Sequence, residues 1–206
     1  MECRNSYAFH TLSHFCSTNA RSPLYIITMN DYATASGDVA FVEQKWDSLW
    51  KAYQFLHSTY DSEGLPQNFG IGHGWVEGGP LLPIKTELYQ SGLGAEALCS
   101  LSNLARLVGK QDISQQLADE FAHQKPLVNK TFWLAGKSRF AFALDQSNQP
   151  VDEPSVLATV PMWFDLLDQD KAGAMIAQLA ESEHQADWGM RIISSHAPRY
   201  LSLIHI

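Results

Sequence analysis

The stretch VAFVEQKWDSLWKAYQFLHSTY, residues 39–60, decides the fold class of this chain. Its apolar residues recur at steps of three and four, which is the spacing of one face of an α-helix. Lys45, Asp47 and Lys51 fall on the other side. The pattern therefore predicts an amphipathic helix packed against the rest of the protein. The residues of its apolar face are Val39, Val42, Trp46, Leu49, Trp50, Tyr53, Leu56 and Tyr60.

Helical patterns flank this stretch on both sides. Before it, Pro23 suits the first turn of a helix and Gly37 suits a C-terminal cap. After it, residues 87–108 form another helical pattern, in which Gly92 and Gly94 indicate close contact with a neighbouring helix. Neighbouring helices of this kind are expected to pair as hairpins.

The second half of the chain predicts more helices and one β excursion. Asp112 could cap a helix, with Gln115 closing a capping box. Pro126 should kink or split that helix, because proline lacks the N–H that the helix ladder needs. Residues 139–144 alternate like a strand. Two further helices are expected, over residues 155–167 and 170–180.

Composition indicates a soluble, globular protein and argues against two classes of partner. Of the 206 residues, 45% are hydrophobic, so the chain can bury a core. A net charge of −8 without a lysine or arginine cluster argues against nucleic acid. No apolar run reaches the roughly 18 residues of a membrane span. The N-terminus also lacks the apolar run of a signal peptide, which favours the cytoplasm if Met1 is the native start.

A glycine-rich loop, residues 72–80, places one carboxylate beside one indole between two helical patterns. Glu77 is flanked by small residues, so a pocket formed elsewhere must supply the desolvation that a general acid needs. Trp75 could stack on a sugar ring through its apolar face. The alternatives are a solvated loop glutamate and an indole that fills the core.

Several segments carry a family signature when they are read in order. They are Ser22-Pro23-Leu24-Tyr25-Ile26-Ile27-Thr28-Met29-Asn30-Asp31-Tyr32, Ser36-Gly37-Asp38, Trp75-Val76-Glu77-Gly78-Gly79, Thr86-Glu87-Leu88-Tyr89-Gln90-Ser91-Gly92, Asp152-Glu153-Pro154-Ser155 and Ala186-Asp187-Trp188-Gly189-Met190-Arg191. Together they resemble the six-hairpin glycoside hydrolases, and most closely the bacterial amylo-1,6-glucosidase or glycogen-debranching-like proteins. The resemblance implies an all-α fold, a partial (α/α)6 toroid of helical hairpins with a short β-hairpin excursion.

The resemblance also implies roles for individual residues. Glu77 matches the general acid of an inverting glycosidase that acts on α-glucan-like oligosaccharides. The second carboxylate, a base about 6.5–9.5 Å away that activates water, would lie beyond this chain. Neither a metal ion nor an organic cofactor is required. The residues implied to bind substrate are Trp75, Glu87, Gln90, Glu153, Asp187, Trp188 and Arg191.

Ordinary local structure offers an alternative for several of these residues. Glu87 would be favoured at a helix N-terminus by the helix dipole alone. Asp187 could cap a following helix rather than bind hydroxyl groups with the support of Arg191. Glu153 suits a turn as well as a sugar site.

The resemblance covers residues 22–200, and the two ends of the chain match it poorly. We expect residues 1–21 to be a poorly matching segment and residues 201–206 to be a non-native tail. About half of a toroid should expose apolar helix faces and self-associate. Two other functions stay open: a sugar epimerase of the same toroid class, in which His73 or His184 is essential, and a non-catalytic carbohydrate-binding fragment.

Overall fold

The computed structural model describes residues 21–68, 84–198 and 200, and these ranges are mostly helical. Helix α1 packs on α2 and on α3, and α3 also packs on α4 and α5. The predicted helical architecture is confirmed at this level. The α-helices are α1 (Arg21–Ser36), α2 (Val39–Ser58), α3 (Leu88–Leu107), α4 (Gln111–Phe132), α5 (Thr159–Trp163) and α6 (Gln169–Leu179).

Short strands connect the helices in the second half of the chain. They are β1 (Thr86–Glu87), β2 (Trp133–Leu134), β3 (Arg139–Phe140), β4 (Ala143–Leu144), β5 (Pro150–Val151), β6 (Gln185–Ala186) and β7 (Gly189–Met190). All pairs are antiparallel: β4 lies between β1 and β5, β2 pairs with β3, and β6 pairs with β7. The predicted strand over residues 139–144 is thus divided between two sheets.

The amphipathic stretch that opens the sequence forms α2 as predicted. Five residues of its apolar face are buried against α1 and α3: Val42, Trp46, Leu49, Tyr53 and Leu56. Gly37 ends α1 with a φ of 70°, and its N–H donates to the Ala33 carbonyl over 2.9 Å. Asp38 then begins α2, because its side chain accepts a 3.0 Å hydrogen bond from the Phe41 N–H. This tight turn holds the two helices as a hairpin.

Helix α4 corrects two predictions. Lys110, not Asp112, is the N-cap residue, and the Gln115 amide donates to Asp119 one turn later. The helix also runs through Pro126 without a break. Tertiary contacts beyond the proline explain this, since the Asn129 amide donates to the Leu166 carbonyl and accepts from the Asp168 N–H. Packing of that last turn offsets the hydrogen bond that proline removes.

The segment 155–167 is less helical than its sequence predicts. A 3-10 turn over Val156–Ala158 leads into the five residues of α5, and the chain then turns at Asp165 with a φ of 52°. Pro161 lies against Gly92 of α3, where an added Cβ would come within 2.6 Å of the proline Cβ. The close helix contact predicted from the small residues of α3 is therefore confirmed.

An ion pair ties the β2–β3 hairpin to the segment that follows β5. Asp152 accepts a 2.8 Å hydrogen bond from Arg139 Nε and pairs with Lys137. These hydrogen bonds, led by the one from Arg139, lower the pKa of Asp152 below its ordinary value. The charged carboxylate is thus the form that the folded state prefers.

Replacing Asp152 by Asn should reduce the free energy of unfolding by about 1 kcal/mol at pH 7, because the pair is only partly buried. A carboxylate whose pKa is lowered on folding stabilises the fold above its ordinary pKa of about 3.9, and this contribution is lost as pH falls further. Urea unfolding at pH 7 and pH 3 should show the difference from the native protein shrinking at the lower pH. Asp47→Asn, on the exposed face of α2, is the control, and an equal effect from it would contradict the assignment.

Candidate functional site

The residues on either side of positions 69–83 lie close together beside β1. The Asn68 N–H donates to the Lys85 carbonyl over 2.7 Å. Ile84 is buried in the apolar cluster that supports β4. Trp75 and Glu77 themselves lie outside the described residues, so their roles stay predictions. Asn68 and Lys85, on either side of that segment, lie next to each other in the fold.

A group of buried polar side chains surrounds that point. Glu87, at the end of β1, is 0% exposed and accepts a 3.2 Å hydrogen bond from Asn68 Nδ2. Gln90, in the first turn of α3, is also 0% exposed, and neither atom of its amide has a hydrogen-bond partner in the described ranges. The Thr86 hydroxyl and the Asn68 amide oxygen are also buried without a hydrogen-bond partner in the described ranges. Unpaired buried polar atoms are costly and uncommon, and these belong to residues that are close in the fold to β1 or to the first turn of α3.

The charge of Glu87 affects the neighbouring Tyr89. Burial, and then the Glu87 carboxylate, raise the pKa of Tyr89 above its ordinary value. Glu87 occupies the N-cap position of α3, yet its side chain makes no capping hydrogen bond. Helix capping alone therefore does not explain a buried carboxylate at this position.

One apolar cluster joins this region to the end of the described chain. It brings together residues next to β1, β4, the 3-10 turn before α5 and the segment after β7: Ile84, Phe142, Ala143, Leu157, Ile192 and Ile193. Tyr89 and Tyr200 pack at its margin. The Tyr200 hydroxyl accepts a 3.3 Å hydrogen bond from Arg191 Nε. The segments next to Glu87 and Arg191 thus pack in the same apolar cluster.

Asp187 and Trp188 form the tip of the β6–β7 hairpin. Strand β7 and not a helix follows them within the described residues, so the alternative of a helix cap for Asp187 is wrong. Arg191 donates to Tyr200 through Nε, and its support of Asp187 stays a prediction. Trp188 is 80% exposed. An indole that is this exposed contributes little to the core and is open to a ligand.

Glu153 lies just beyond β5 and is half-buried. Its N–H donates to the Val151 carbonyl over 3.1 Å, which is the turn that its sequence suggests. Glu87 and Gln90 both lie at the start of α3, whereas Glu153 and the Asp187–Trp188 tip lie on separate turns.

His184 precedes the hairpin and is buried at the side of Glu183, with 3.5 Å between Nε2 and the carboxylate. Burial lowers the pKa of this imidazole, against the opposing effect of Glu183. Among the described residues, no group of three His, Cys, Asp or Glu side chains could hold a metal ion. In the same part of the chain, no helix has the length and apolar character needed to cross a membrane.

Sequence reasoning missed Asn68, the residue that contacts Glu87. The two residues stand nineteen positions apart and share no local pattern. The sequence around Asn68 gives no signal of this contact, because an asparagine at this position is equally well explained by a turn.

Two solved structures are similar to the chain in fold. A GH78 family rhamnosidase of Bacillus sp. GL1 is 16% identical with a TM-score of 0.68, over 78% of this chain and 17% of that chain. A sialidase is 18% identical with a TM-score of 0.65, over 79% of this chain and 15% of that chain. The chain therefore spans about a sixth of the length of these structures. No curated protein matches it.

A family model identifies the sequence more directly. The model of the mannosylglycerate hydrolase MGH1-like glycoside hydrolase domain matches residues 91–203. The resemblance to glycoside hydrolases is confirmed at this level, and the narrower likeness to amylo-1,6-glucosidases stays a prediction. Because the match covers more than half of the sequence, the chain belongs to the MGH1-like glycoside hydrolase domain family.

Proposed function

We propose that this chain is part of an inverting glycoside hydrolase with a toroidal (α/α)6 catalytic domain. The observation that carries the proposal is the pair of fully buried polar residues Glu87 and Gln90, with the half-buried Asn68 donating to Glu87. It lies where the segment that contains Glu77 enters and leaves the fold. A general acid in that segment and hydroxyl-binding groups at its base would face the same ligand.

In this proposal one residue donates a proton and other residues bind the sugar. Glu77 donates a proton to the glycosidic oxygen, and Trp75 and Trp188 flank the sugar ring. Glu87, Glu153 and Asp187 accept hydrogen bonds from sugar hydroxyls. The base that activates water belongs to a part of the protein outside these 206 residues, as inversion requires a second carboxylate.

Gln90 supports a binding role because its amide is expensive to bury alone. An unpaired buried donor or acceptor costs about 1–3 kcal/mol. A sugar can offer both a hydroxyl donor and a hydroxyl acceptor to one amide. The cost to the free protein would then be recovered when the ligand binds.

Replacing Gln90 by Met should therefore raise the free energy of unfolding by about 1 kcal/mol or more and weaken oligosaccharide binding. Urea unfolding measures the first effect, and titration calorimetry with maltotriose measures the second. Gln44→Met, on the exposed face of α2, should change neither. Loss of stability in Gln90→Met would show that the amide has a structural partner, and the binding role would then be withdrawn.

The substrate is tested by assaying the 206-residue chain and a longer protein that contains it. We expect the chain alone to bind maltotriose without cleaving maltose or isomaltose, and the longer protein to cleave one of them. The family name adds mannosylglycerate as a second candidate substrate. Cleavage of mannosylglycerate alone would replace the α-glucan assignment, and rapid hydrolysis by the isolated chain would contradict a base outside it.

A further inference from the structure

An open cleft of about 590 Å³ lies between the end of α2, the turn over residues 61–64 and the middle of α4. Its volume falls in the range of small-molecule sites. The residues assigned to the candidate glycoside site are not among those that line it. The cleft is therefore separate from the candidate glycoside site.

The cleft is strongly acidic. Four carboxylates line it, and its described lining contains neither lysine nor arginine. The other titratable groups of the lining are Tyr60 and two exposed histidines, His57 and His123. A concave surface with one sign of charge concentrates ligands of the opposite sign, so this cleft repels anions and attracts cations. The four carboxylates belong to Asp61, Glu63, Asp119 and Glu120.

Hydrogen bonds hold three of these carboxylates in place before any ligand arrives, and that of Asp119 accepts one of 2.9 Å from the Gln115 amide. Glu120 accepts bonds of 3.0 and 3.1 Å from the Tyr53 hydroxyl and one of 2.9 Å from the Gln116 amide. Asp61 accepts from the N–H groups of Glu63 and Leu65, both over 3.0 Å, and so fixes the turn. A preorganised set of acceptors loses little entropy when it binds a donor.

Gln124 supplies an independent sign of a missing partner. This residue lines the cleft although it is only 3% exposed, so it lies at the bottom. Its Nε2 donates to the Gly64 carbonyl and thereby joins the turn to α4. Its Oε1 is buried without a donor in the ranges that the structure describes. An N–H group brought by a ligand would satisfy this oxygen.

Aromatic rings add a surface for the apolar part of such a ligand. The rings of His57 and Tyr60 stack with their centroids 5.5 Å apart, and both residues line the cleft. Aromatic faces attract ammonium groups and cover alkyl chains. We propose that the cleft binds an organic cation with several N–H donors, of the di- or polyamine class.

Titration calorimetry of the 206-residue protein with spermidine at low salt tests the proposal. The double variant Glu63→Gln/Asp119→Asn removes two exposed charges from the cleft while leaving the hydrogen-bonded Asp61 and Glu120 intact. It should bind spermidine about tenfold more weakly, because two close charge interactions are lost. The affinity of the native protein should also fall with added salt.

The matched control is Glu43→Gln/Asp47→Asn, which removes the same charge from the exposed face of α2. It should change the affinity less than twofold. Equal weakening in both double variants would show attraction to the net charge of −8 and overturn the site. Absence of spermidine binding would overturn it too, as would displacement of spermidine from the cleft by maltotriose.

Discussion

Replacing Glu77 by Gln should lower kcat by about 10²- to 10⁴-fold in a longer protein that contains these residues and cleaves a glycoside. Glutamine keeps the size of the side chain but cannot give a proton to the leaving oxygen. The fold should not change, so KM should change much less than kcat. Steady-state kinetics on the best of the three substrates, with circular dichroism as a check of folding, measures the effect.

Glu43→Gln on α2 is the matched control, because it makes the same chemical change at an exposed position. It should retain full activity. A small effect of Glu77→Gln on cleavage would contradict its role as the general acid. If the longer protein cleaves no glycoside but epimerises a sugar, and His73→Ala or His184→Ala abolishes that activity, the epimerase alternative holds instead.

Replacing Gly92 by Ala should reduce the free energy of unfolding by about 1–3 kcal/mol. The new methyl group would lie 2.6 Å from the Pro161 Cβ and 3.3 Å from its Cα. A backbone atom of the neighbouring segment cannot rotate away, so α3 and α5 must separate. This cost exceeds the roughly 1 kcal/mol that alanine gains over glycine within a helix. Urea unfolding measures the difference.

Gly173→Ala in α6 is the control for helix propensity. No atom lies within 4 Å of the position that its Cβ would take. This variant should be more stable than the native protein by up to about 1 kcal/mol. If Gly92→Ala is equally stabilising, the contact between α3 and Pro161 does not determine the packing of the two helices.

The helical frame could be predicted because its signals are local. The apolar face of residues 39–60 and the caps around Gly37 are set by sequence neighbours, and both appear in the structure. The continuity of α4 through Pro126 could not be predicted, since it depends on contacts between Asn129 and the turn at Leu166. Burial of that distant turn overrides the local preference of proline.

The candidate site shows the same division. The family resemblance implies a binding role for Glu87 and Gln90, because both belong to a short motif at the start of a helix, and that role stays a prediction. The 3.2 Å contact of Glu87 with Asn68 depends on how the two ends of a loop meet, and no local spacing encodes it. The acidic cleft between α2 and α4 was missed for the same reason, because its carboxylates come from two segments that are far apart in the sequence.

The central claim, that Glu77 protonates the leaving oxygen, is tested most directly by changing the leaving group. A sugar leaving group needs a proton on its glycosidic oxygen to depart as a neutral hydroxyl. Fluoride hardly needs one, because it departs as a stable anion. Rates of native and Glu77→Gln forms of the longer protein should be compared on an oligosaccharide and on the matching glycosyl fluoride. We predict a loss of about 10²- to 10⁴-fold on the oligosaccharide and less than about tenfold on the fluoride. An equal loss on both substrates would contradict the assignment of Glu77 as the general acid.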